Sequence, residues 1–105
     1  MTALIVLSMF PDAEVARSIG RTLVEEQLAA CVNLLPGADS IYWWKGIIES
    51  RSEVLAIFKT SDEQYGTLEA RLKELHPYEL PEIVAIAPAR GLPEYLQWIV
   101  DHSGR

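Results

Sequence analysis

The segment His76-Pro77-Tyr78-Glu79-Leu80-Pro81-Glu82 gathers an imidazole, a phenol and two carboxylates within seven residues. Its two prolines restrict the backbone of everything between them and hold these groups in a nearly preset loop. Rigid presentation lowers the cost of ordering metal ligands or proton-transfer groups, and His76 and Glu79 are candidates for either role. The same residues also fit a stiff connection in which His76 caps a helix and Tyr78 packs. The single cysteine, Cys31, lies in Ala29-Ala30-Cys31-Val32-Asn33. Its soft sulfur suits copper or zinc if an imidazole comes near it; otherwise a free cysteine packs as a small hydrophobe. A nucleophilic role needs an activating base or a helix N-terminus. The sequence places Cys31 in a strand just after a helix, without that help.

Lys59 precedes the helix start at Thr60-Ser61. A cation beside helix amides can hold an anion, but Asp62 and Glu63 already occupy that first turn, so Lys59 is expected to pair with a carboxylate. Tyr42-Trp43-Trp44 concentrates large aromatics before a turn at Lys45-Gly46. Alternation exposes at least one indole, and exposed aromatics usually belong to a contact. Trp43 and Trp44 are therefore expected at a subunit interface, and Trp98 on the last helix fits the same role. The chain has no glycine-rich phosphate loop, GxSxG elbow, HExxH pair or EF-hand pattern. Its two histidines, His76 and His102, are too few for an all-histidine site. With no nucleophile–base arrangement to name, an enzyme is not expected.

These groups must be positioned by alternating strands and helices. Ala3–Met9 is short, apolar and β-branched, as a buried strand requires. Asp12 is a candidate N-cap for an amphipathic helix through Val15, Ile19 and Leu23. Ala29–Leu35 is apolar until Pro36-Gly37 interrupts it, and strand formers resume at Ser40–Trp44. After Lys45-Gly46 a long strand runs from Ile47 to Lys59, polar from Glu49 to Glu53. Such a hairpin would project beyond a small domain. Thr60 through Gln64 carries a capping-box signature, Leu68, Leu72 and Leu75 continue a helix, and Pro77 ends it. Glu82–Ala87 reads as a fourth strand, and Gly91-Leu92-Pro93 starts a last helix. The order β-α-β-β-α-β plus a terminal helix predicts an α+β, ferredoxin-like antiparallel sheet with two helices on one face.

A length of 105 residues fits one domain, 1–105, and a chain this short would gain from self-association. Nine basic against fifteen acidic residues give a net charge of −6. Nucleic acid and anionic membranes demand a positive surface, so neither is an expected partner. One cysteine excludes an intrachain disulfide and CxxC zinc spacings. The first apolar run lacks a basic start and a small-residue cleavage site, and a cytoplasmic location is the expectation.

Four segments together resemble the CutA family of divalent-cation tolerance proteins: Ala29–Asn33, Ile41–Ile47, Phe58–Thr60 and His76–Ile83. The likeness runs from about Leu4 to Trp98, nearly the whole chain. It implies a tight homotrimer, similar in architecture to PII signalling proteins, in which long hairpins pair with neighbouring sheets. It also implies tolerance of copper and other divalent cations with no established enzymatic reaction. Some members carry several cysteines proposed as copper ligands, and this chain keeps one. The implied site is therefore a mixed one of Cys31, His76 and Glu79 for copper or zinc, with Tyr42 and Lys59 as cleft walls and no required cofactor. A PII-like sensor holding a small anion or a protein partner between subunits is the alternative.

Overall fold

The computed structural model describes residues 1–104. In chain order its elements are β1 (Ala3–Phe10), α1 (Ala13–Glu25), β2 (Cys31–Trp44), β3 (Ile47–Ser61), α2 (Asp62–Leu75), β4 (Val84–Ile86) and α3 (Pro93–Asp101). Local chemistry sets most boundaries. The Asp12 carboxylate accepts the Val15 N–H at 2.8 Å and starts α1, and the Ser61 hydroxyl accepts the Gln64 N–H at 3.3 Å at the start of α2. His76 leaves α2 with extended backbone, as a residue before proline must. Pro93 opens α3, where its missing N–H costs nothing.

The strands form one antiparallel sheet in the order β2-β3-β1-β4, the ferredoxin-like arrangement. Alternation sends Val6 and Phe10 of β1 and Val54, Ala56 and Phe58 of β3 into one core. Ala16, Ile19 and Leu23 of α1 and Leu68 and Leu72 of α2 cover that face. The α3 helix packs against β3 and β1 with Ile99 buried, and its Tyr95 hydroxyl reaches to 3.9 Å from the Cys31 sulfur.

One element is shorter than the sequence expectation. Pro36-Gly37 interrupts β2 without ending it: the strand continues with a register shift between Leu35 and Ala38. Gly37, at φ +86°, absorbs that bulge in a conformation that favours glycine. The fourth strand is only Val84–Ile86, paired with Leu7, Val6 and Ile5. Its flanking prolines, Pro81 and Pro88, cannot donate to a ladder.

At the far end, Lys45 and Gly46 have φ of +50° and +85°. Positive φ at both central residues makes the two-residue turn that suits strand twist. The resulting β2–β3 hairpin gives the molecule a 44 Å long axis against 26 and 21 Å.

Candidate functional site

The hairpin has two unlike sides. Cross-strand pairing of Tyr42 with Glu49 and of Ser40 with Arg51 puts these four residues on one side, with Trp44 and Glu53 in step. Ile41, Trp43 and Ile48 point the other way and are 73%, 71% and 60% exposed. The polar–aromatic side and the Pro77–Pro81 loop enclose a cleft of about 500 Å³. Tyr78, Glu79 and Glu82 line the loop side of this cleft, and Met9 of β1 also lines it.

His76 fastens the loop to the sheet. Its ring stacks on Phe10, with centroids 4.6 Å apart and planes at 16°. Nδ1 accepts the Tyr78 N–H at 3.1 Å, so the proton sits on Nε2 and is donated to the Met9 carbonyl at 2.8 Å. Tyr78 in turn donates its hydroxyl to Glu53 at 2.5 Å. Burial and that carboxylate push the Tyr78 phenol up to about 12. Glu53 is only 6% exposed, although it lies in the polar half of the hairpin. The Arg51 guanidinium lies 6.0 Å from the centre of the Tyr78 ring.

Burial lowers the His76 pKa, against the opposing pull of the Met9 carbonyl and the Glu53 charge. A histidine depressed in the folded state contributes stability that is present above its unfolded value of about 6.5. This contribution is lost as pH falls from there through the folded value. Unfolding free energy is therefore expected to decline below about pH 6.5 with a component that His76→Gln removes. Denaturant titrations of both proteins between neutral and mildly acid pH check this, and identical pH profiles would refute it.

Cys31 opens β2 opposite Lys59 and is half-buried. Among the described residues Lys59 pairs with no carboxylate, against the expectation: its ammonium donates to the Asn33 side-chain oxygen, on the strand beside it. Lys59 faces Ile5 of β1, whereas His76 holds Met9, four residues further along the same strand. That offset is about 13 Å at strand rise. Cys31 and His76 therefore do not share a coordination sphere within one chain. Glu79 is exposed at the cleft rim, 3.8 Å from the Lys45 ammonium. Among the described residues no group of three histidine, cysteine or acidic side chains is placed to hold a metal ion. Tyr42 lines the cleft and Lys59 does not. Trp44 also lines it, with the Lys45 ammonium 5.5 Å from its ring centre. Trp98 stacks between Tyr95 and His102 and remains 37% exposed.

Glu49, Arg51 and Glu53 were not singled out by their sequence, where they read as the polar stretch of a strand. Their period-two spacing was the available signal, since it places all three on the side that carries Tyr42 and Trp44.

The CutA1 divalent ion tolerance protein family model matches residues 4–102. The divalent-cation tolerance protein CutA of Thermus thermophilus is 48% identical over 100 residues, covering 95% of this chain and 97% of its own length. A solved divalent cation tolerance protein from the same organism superposes with a TM-score of 0.94 at 47% identity, covering 98% of this chain and all of that one. A solved relative from Archaeoglobus fulgidus, named a periplasmic divalent cation tolerance protein, gives a TM-score of 0.89 at 39% identity, covering 93% and 95% of the two chains.

Proposed function

The chain belongs to the CutA1 divalent ion tolerance family, and on that premise we propose that it acts as a non-enzymatic, PII-like homotrimer that binds copper or zinc at a site completed between subunits. The two-sided hairpin carries the assembly reading. A lone subunit leaves Ile41, Trp43 and Ile48 in water on a projecting arm, and such patches mark contacts. Both β2 and β4 also offer open sheet edges, which a neighbouring copy would pair.

Cys31, Glu79 and the Nδ1 atom of His76 are the proposed donors. Their separation within one chain requires the loop of one subunit to meet Cys31 of the next, and His76 must release the Tyr78 amide to take part. A thiolate and an imidazole favour copper or zinc over hard cations. A reducing cytoplasm would keep the Cys31 thiol free. The anion-sensor alternative loses its motive, because Lys59 is engaged by Asn33 and carboxylates line the cleft. Of the described helices, none is long and apolar enough to cross a membrane.

Calorimetric titration of the metal-stripped protein with Cu²⁺ and Zn²⁺, alongside light scattering, tests both parts. Saturable uptake is expected, lost in Cys31→Ser and weakened about tenfold or more in Glu79→Gln and His76→Ala. Uptake untouched by all three substitutions would overturn the donor set, and no uptake by the wild type would overturn metal binding. A monomeric mass would overturn the assembly.

A further inference from the structure

We propose that the cleft between the hairpin and the Pro77–Pro81 loop binds a linear organic amine of the diamine or polyamine class. Glu53 is the first reason. Its carboxylate lines the cleft at 6% exposure, yet its hydrogen bond comes from the neutral Tyr78 hydroxyl, and among the described residues no cation forms an ion pair with it. A buried carboxylate without a cation is expensive, and a ligand's ammonium would supply the missing charge.

The walls give the second reason. Tyr42, Trp44 and Tyr78 offer aromatic faces, and two of the protein's own cations already lie over two of them: Lys45 over Trp44 and Arg51 over Tyr78. Cation–π attraction of this kind suits organic ammonium groups.

The spacing of the carboxylates then selects among cations. Glu49 and Glu53 lie four residues apart on the same side of β3, a separation of about 13 Å at strand rise. That is too far to clasp one ion, and no three-donor metal cluster exists among the described residues. A chain with ammonium groups at separated positions matches it, its methylenes lying along Tyr42 and Trp44. A volume of about 500 Å³ accommodates a small molecule. Arg51 lies between the two carboxylates along β3 and competes as a built-in cation. The proposal uses neither Cys31 nor the metal reading, so each can fail without the other.

Titration of the intact protein with spermidine is the test. Saturable binding of one molecule per chain is expected, weakened about tenfold or more in Glu53→Gln. That replacement keeps an acceptor for Tyr78, and the half-exposed Glu49→Gln serves as a second variant if folding suffers. Arg51→Gln is expected to tighten binding about threefold or more by removing a like charge. Glu14→Gln, on the exposed side of α1, should change nothing. No saturable binding by the wild type would overturn the proposal. So would losses in Glu14→Gln equal to those in the cleft variants, which would mark diffuse attraction to the net negative charge.

Discussion

Trp43→Glu is expected to break the proposed trimer into single subunits. The indole is 71% exposed on the outer side of the hairpin, between Ile41 and Ile48. An aromatic anchor at the centre of such a contact typically contributes about 2–4 kcal/mol. Glutamate removes that contribution and adds the cost of desolvating a charge. A loss of 3 kcal/mol weakens each contact by roughly a hundredfold, and a closed trimer has three equivalent contacts. Light scattering over a dilution series should show one-third of the wild-type mass, with a melting temperature independent of protein concentration. Trp44→Phe is the control, because Trp44 faces the cleft and this change keeps an aromatic wall. An unchanged mass for Trp43→Glu would refute the contact.

The same hairpin shows what a sequence carries and what it does not. Helix starts were legible because their causes are local: Asp12 and Ser61 cap amides three residues away. The turn at Lys45-Gly46 was legible for the same reason. The interruption at Pro36-Gly37 is bridged because β3 supplies a long partner strand on both sides of the bulge. The Pro-bracketed loop was visible as a candidate, but the contacts its side chains make depend on distant partners. His76 is tied to the carbonyl of Met9, 67 residues earlier, and Tyr78 to Glu53, 25 residues earlier. No spacing rule links those positions. Burial of Glu53 follows from the loop folding over β3, so its prominence emerges only from the assembled fold. Lys59 illustrates a smaller version of the problem: its neighbour across the ladder presents an amide, and the ammonium takes it.

Phe10→Ala is expected to reach from the core into the site. Phe10 is fully buried at the end of β1, among Val54 and the helix-facing core. Removing a buried phenyl ring typically costs about 3–5 kcal/mol through lost transfer energy and the cavity left behind. That is a large share of the roughly 5–15 kcal/mol that holds a domain folded, and denaturant titration will read it directly. Phe10 is also the platform on which His76 stacks. Without it water reaches the imidazole, the burial that depresses its pKa weakens, and the folded value moves back toward the ordinary one. The His76-dependent loss of stability below about pH 6.5 should then shrink along with overall stability. Phe10→Leu separates the two effects: it restores most of the core volume but cannot stack on the ring. A stability loss in Phe10→Ala with the wild-type pH dependence intact would show that Phe10 supports the core alone. Loss of both would show that a single core side chain holds the loop, through His76, in the position that shapes the cleft.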